Sequence, residues 1–188
     1  APLHAHRFEV GRDHEVNQLE MTIDEQCASI LARRQPTASD LRLIVAIIKV
    51  NTDLERIGDE AAKVALQAMR LSEAGYSPTS FIEIRHIGTH VADMLRRALD
   101  AFARLDPVAA VEVVKNDSIV DREYGSALRS LMTFMMEDPR SIGSIINEMW
   151  ALRSLERIGD HASNIAEHVI YLVRGTDVRH GRLEALDE

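Results

Sequence analysis

Two carboxylates four residues apart, Glu55 and Asp59, return as Glu156 and Asp160 inside an identical hexapeptide, Leu-Glu-Arg-Ile-Gly-Asp, that begins at Leu54 and again at Leu155. On a helix, i, i+4 spacing sets both acids of a pair on one face, where like charges cost roughly 0.2–0.5 kcal/mol. A bound cation would remove that cost, so the chemistry on offer is ligation of a metal ion by oxygen. The 101 positions from Glu55 to Glu156 mark an internal repeat. It reaches backwards as well, because Asp13-x-x-Val16-Asn17 matches Asp117-x-x-Val120-Asp121. If the helices of each repeat pack antiparallel, Asp13 and Asn17 face Glu55 and Asp59, while Asp117 and Asp121 face Glu156 and Asp160. Such all-oxygen sets suit Mg²⁺, Ca²⁺, Mn²⁺ or iron, whereas zinc usually takes nitrogen or sulfur. The competing reading is a solvated acidic face, with Arg56 pairing to Glu60 at i, i+4.

Gly58 and Gly159 sit between the acids in both copies. A mid-helix glycine costs roughly 0.5–1 kcal/mol relative to alanine, so close approach of a helix or a ligand is expected there. A further run, Glu83-x-x-His86-x-x-x-His90-x-x-Asp93, lines up two imidazoles and two acids and could hold a transition metal, with a surface role the more economical reading. His161, His168 and His180 read as polar surface, and Met132, Phe134, Met135, Met136 and Trp150 as core. No glycine-rich phosphate loop, nucleophile elbow or cysteine–histidine pair occurs, which leaves nucleotide hydrolysis and covalent catalysis without support.

The elements that must position the acids are helices. Hydrophobic residues make up 46% of the chain but aromatics only 4%, a mixture that favours helix over strand. Pro36, the Gly75–Pro78 cluster, Asp106-Pro107, Asp138-Pro139 and Gly175 divide 188 residues into five helices, near 5–34, 38–74, 80–105, 107–136 and 140–174. Apolar steps of three and four run through Ile47, Val50, Leu54, Ile57, Ala61, Val64, Ala68 and Leu71, and again through Leu155, Ile158, Ala162, Ile165, Val169 and Leu172. The acids lie one position off each stripe and so border the core. Short links require antiparallel neighbours, giving an all-α, elongated pair of bundles.

A net charge of −8 argues against wrapping nucleic acid, and no apolar run is long enough for direct membrane insertion. One cysteine, Cys27, fits a reducing, cytoplasmic setting. A chain that opens on Ala1-Pro2-Leu3 without a signal-peptide pattern is expected to begin inside a longer gene product.

The chain resembles the PhoU family of phosphate transport system regulatory proteins. The likeness rests on Arg34-Gln35-Pro36-Thr37-Ala38-Ser39-Asp40-Leu41-Arg42, Asp53 to Asp59, Leu99-Asp100-Ala101-Phe102, Met135 to Arg140, Ser154 to His161 and Asn164-Ile165-Ala166-Glu167. The resemblance implies two pseudo-repeated antiparallel three-helix bundles, with the first lacking its N-terminal helix in this chain. The divisions it implies are 1–76 for the first repeat, 77–175 for the second and 176–188 for a tail. It implies divalent or trivalent metal ions on Asp13, Asn17, Glu55 and Asp59 and on Asp117, Asp121, Glu156 and Asp160. Asn17 departs from the acidic pattern, so the second set is expected to bind more tightly. By the same resemblance the protein is a homodimeric negative regulator of the phosphate-starvation response, not an enzyme. Its expected partners are the phosphate sensor histidine kinase and the ATPase subunit of the phosphate ABC transporter. A passive helical scaffold and a metal-dependent enzyme are the rival classes.

Overall fold

The computed structural model describes residues 2–75 and 82–175, with side chains from residue 16 onward. Within them run five α-helices: α1 (Pro2–Arg34), α2 (Ala38–Glu73), α3 (Ile82–Arg104), α4 (Pro107–Glu137) and α5 (Ile142–Arg174). Asp106 caps α4 as its spacing predicts, its Oδ1 accepting from the Val108 and Ala109 amides at 3.0 and 3.1 Å, with Pro107 in the first turn. Asp138 caps in the same way, accepting from the Arg140 amide at 3.1 Å, but what it starts is the 3₁₀ turn Pro139–Ser141, and α5 begins only at Ile142. Gly175, at φ 70°, closes α5 in the left-handed conformation that favours glycine.

Leu105 takes φ 52° between α3 and α4 without being glycine, and is 44% exposed. A branched residue there carries about 1–2 kcal/mol of steric cost. Leu105→Gly is therefore expected to raise stability by about 1 kcal/mol, seen as a higher urea midpoint with an unchanged slope.

Helix α5 is the axis of the molecule. It packs on α2, α3 and α4, whereas α1 packs on α2. Its stripe is buried as the period requires: Leu155, Ile158, Ala162, Ile165 and Val169 are all at most 8% exposed. Against it lie Ile87, Val91, Met94 and Ala98 of α3 and Val113, Val120 and Ala127 of α4. The α2 stripe differs from its expectation. Ala61 and Ala68 are exposed, while Asn51, Asp53, Glu60 and Gln67 are buried among Val50, Ile57 and Leu71.

Two of those polar residues, Asp53 and Glu60, hold α2 to α5, while Asn51 bonds to Glu20 and Asp24 of α1. Asp53 Oδ1 meets His161 Nδ1 at 2.8 Å and the Asn164 amide at 3.4 Å, and Asp53 Oδ2 meets His168 Nε2 at 3.3 Å. His161 and His168 are thus half-buried partners of an acid, not the surface residues their scatter suggests; their side chains are 13% and 14% exposed. Glu60, 3% exposed, meets Arg157 at 2.6 Å and Lys63 at 2.9 Å, and accepts from Ser154. In the repeat register Asp53 corresponds to Ser154 and Glu60 to His161. The Asp53–His161 and Glu60–Ser154 contacts are therefore the same contact made twice, each position of one repeat touching the partner position of the other.

The expectation that the methionines and aromatics are core is corrected. Met132, Phe134, Met136 and Trp150 are 50%, 57%, 77% and 60% exposed, and only Met135 packs against the core. The buried face of α4 runs through Val120, Ala127 and Leu131, which turns positions 132 and 136 outward, whereas Phe134 continues that face into the last turn of the helix and is exposed there. No described helix is long and apolar enough to cross a membrane.

Candidate metal centre

Helices α4 and α5 bring Asp121, Glu156 and Asp160 together, one carboxylate oxygen of each lying within 4.8 Å of the others. The register follows from the core. Val120 is buried beside Asp121, and Leu155, Ile158 and Gly159 are buried beside Glu156 and Asp160, so the acids stand at the rim where the two helices meet. A Cβ at Gly159 would lie at ordinary van der Waals distance, 3.5 Å from Val120 Cγ1, 3.7 Å from Val91 Cγ2 and 3.9 Å from Asp117 Oδ1, so the packing there has room for an alanine. At Gly58 a Cβ would meet nothing within 4 Å, so the close approach expected at the two glycines is not what the packing requires.

Glu156 is 9% exposed, and Arg153 contacts its Oε1 at 2.5 Å. Its Oε2 is buried without a hydrogen-bond partner. Leaving such an oxygen unpaired costs about 1–3 kcal/mol or more, and a cation is the partner that would satisfy it. Burial raises the carboxyl of Glu156, with the Asp160 charge adding to it. Asp160 is raised by burial and by Asp121, against the opposing charges of Arg153, His161 and Arg157. Asp117 stands just behind the triad. Burial and the charges of Asp160 and Asp121 push it up to about 6, although Ser163 hydrogen-bonds to it. Burial and the crowding of carboxylates raise all three groups even with Arg153 and Arg157 nearby.

The residues of the first repeat are arranged differently. Asn17 and Asp59 are exposed and Glu55 half-buried, and the Asp13 side chain lies outside the described residues. Among the described residues, Asp121, Glu156 and Asp160 are the only three ligating side chains whose donor atoms all lie within 4.8 Å of one another. Sequence reasoning missed Asp53, Glu60 and Ser154, which brace α2 against α5, and Ser163, which hydrogen-bonds to Asp117 of α4. The repeat register was the signal that could have found the first three, since 53 and 60 map onto 154 and 161.

A model of the PhoU domain matches residues 9–68 and 84–169. This chain belongs to the PhoU family. A phosphate-specific transport system accessory protein PhoU homolog of Pseudomonas aeruginosa is 62% identical over 176 residues, covering 94% of this chain and 73% of that protein. PhoU of Escherichia coli K12, described as a phosphate-specific transport system accessory protein, is 45% identical over 176 residues with the same two coverages, 94% and 73%. The crystal structure of PhoU from Pseudomonas aeruginosa superposes with a TM-score of 0.87 at 60% identity, over 90% of this chain and 81% of that one. That of the phosphate transport system regulatory protein PhoU from Streptococcus pneumoniae gives 0.81 at 29% identity, over 92% and 80%. PhoU family membership and the all-α fold agree with what the hexapeptide and the helix punctuation imply.

Proposed function

We propose that this chain is the regulatory accessory protein of a phosphate transport system, and that the α4–α5 rim binds a hard cation as part of that role. The observation that carries the metal reading is the buried, unpartnered Glu156 Oε2 inside a triad of carboxylates. All donors are oxygen, so Mn²⁺, Mg²⁺, Ca²⁺ or iron fits better than zinc. Asp121, Glu156 and Asp160 would hold the ion, with Asp117 as a fourth acid, and the bound ion would supply positive charge to the surface there. The weaker set of Asp13, Asn17, Glu55 and Asp59 would bind a second ion with lower affinity.

The regulatory part of the reading rests on the names and folds of the relatives. As a negative regulator, the protein would couple the phosphate ABC transporter to the phosphate sensor histidine kinase from the cytoplasm, as a homodimer, without catalysing a reaction. The metal reading predicts Mn²⁺ binding measurable by electron paramagnetic resonance, weakened at least about tenfold in the Glu156→Gln, Asp160→Asn double variant. Wild type that takes up no Mn²⁺, Ca²⁺ or iron near physiological concentration would refute it. Co-purification with the transporter ATPase subunit and the sensor kinase tests the coupling, and the absence of both from the purified complex counts against it.

A further inference from the structure

His86 and His90 lie one turn apart on α3, and both rings meet a single carboxylate on α4. His86 Nε2 is 3.2 Å from Glu123 Oε1, and His90 Nδ1 is 3.1 Å from Glu123 Oε2. The other two members of the run Glu83 to Asp93 do not join them, since Asp93 pairs with Arg96 at 3.1 Å and Glu83 faces Glu148. Glu123 lies far along the chain from the histidines, so the sequence pattern on α3 did not include it.

The frame around these three side chains is set by the core. Ile87, Val91 and Met94 of α3 and Val120 and Ala127 of α4 are each 1% exposed. His86 and His90 are therefore neighbours of buried anchors on one helix, and Glu123 stands three residues after one anchor and four before another. His90 and Glu123 are both 24% exposed at the side chain, while His86, at 65%, is free to turn. Beside His86 opens a cleft of about 550 Å³ lined by Ile82, Arg85, His86 and Thr89.

We propose that His86, His90 and Glu123 form a second metal site, chemically distinct from the carboxylate rim, that takes a borderline ion of the Zn²⁺ class and clamps α3 to α4. Two imidazoles at i, i+4 with one carboxylate from another element are an established zinc donor set. Donors about 2.0–2.2 Å from a tetrahedral zinc ion stand roughly 3.3 Å apart. The two nitrogen–oxygen separations here match that, but the three donors do not all lie within 4.8 Å of one another, so the site closes only when one ring moves. Without metal each ring uses a different oxygen of Glu123. A turn of the exposed His86 side chain brings both nitrogens to one ion, and the cleft leaves room for a water as fourth ligand. Neutral imidazoles and one carboxylate leave a divalent ion with one net positive charge, whereas the all-oxygen rim selects harder ions. The two sites thus differ in the cations they take.

The test uses the full chain without a polyhistidine tag, titrated with Co²⁺ and then Zn²⁺. Tetrahedral cobalt with nitrogen ligands absorbs much more strongly in the visible than octahedral, oxygen-ligated cobalt, so the two sites are told apart in one protein. Strong visible bands are expected in wild type and in the Glu156→Gln, Asp160→Asn variant, displaced by Zn²⁺. They should vanish in His86→Ala, His90→Ala, with Zn²⁺ affinity falling by more than about 100-fold. Glu123→Gln, which keeps the shape of the side chain, should weaken binding about tenfold or more. Absence of strong bands in wild type overturns the proposal and leaves an ordinary ion pair; so does their survival in the double-histidine variant or an unchanged affinity in Glu123→Gln.

Discussion

Asp53→Ala is expected to remove about 3 kcal/mol of folding stability, read as a lower urea midpoint at constant slope. That is a large share of the roughly 5–15 kcal/mol a domain of this kind has. The reason is position. Asp53 is 8% exposed and is the acceptor shared by His161, Asn164 and His168, so its loss leaves three half-buried partners on α5 facing a gap. Burial alone would push its carboxyl up, but the hydrogen bonds from His168, His161 and Asn164 outweigh burial and hold it below the ordinary aspartate value. With a depressed folded value the sign is fixed: the stabilisation is fully present above the unfolded value near 4 and is lost as pH falls through the folded one. Asp53→Asn keeps one acceptor oxygen and should lose about half as much. A double-mutant cycle of Asp53→Ala with His161→Ala should return a coupling of about 1–2 kcal/mol. A loss below about 1 kcal/mol in Asp53→Ala would mean that apolar packing alone holds α2 against α5.

This tie was the part of the fold least legible in the residues. A three–four stripe reads polarity as exposure, which places Ala61 and Ala68 in the core and Glu60 on a solvated face, whereas the reverse holds and Asp53 is buried too. The pairing that buries Asp53 lies 108 positions away, and no local period can register it. The α5 stripe was legible because its neighbours on both sides are apolar, and the helix starts were legible because Asp106 and Asp138 act through their own backbone. At the acidic rim the repeat supplied Glu156, Asp160, Asp117 and Asp121, but not the asymmetry of burial between the copies. Val16 is 43% exposed where its counterpart Val120 is 1% exposed. The same two letters border solvent in one repeat and core in the other. His86 and His90 were visible as a pair on α3, but their partner could not be found without the packing of α3 on α4.

Asp117→Asn should stabilise the metal-free protein at pH 7.5 and weaken its response to Mn²⁺. Asp117 is half-buried beside Asp121 and Asp160, with its carboxyl pushed up to about 6. Its unfolded value is near 4, so the folded state binds the proton more tightly and ionisation costs stability. The full difference corresponds to about 3 kcal/mol, and solvent screening of a half-exposed group reduces it to about 1–2 kcal/mol. The direction is opposite to that at Asp53. Below pH 4 the group is protonated in both states and costs nothing, and the cost grows as pH rises from 4 through 6. Glu156 and Asp160 are raised as well and add in the same direction. Metal-free wild type should therefore gain stability on acidification from pH 7.5 to 5.5, a gain that Asp117→Asn has already made and should largely lack. A divalent cation on the rim reverses the balance, because it stabilises the ionised carboxylates and binds only the folded chain. At 100 times its dissociation constant it adds about 2.7 kcal/mol. Mn²⁺ should raise the melting temperature of wild type at pH 7.5 by several degrees, more than that of Asp117→Asn, and have little effect at pH 5, where protons compete for the same oxygens. Equal shifts in the two proteins would place the ion away from Asp117, and a stability that falls on mild acidification would mean that cations other than metal already neutralise the rim.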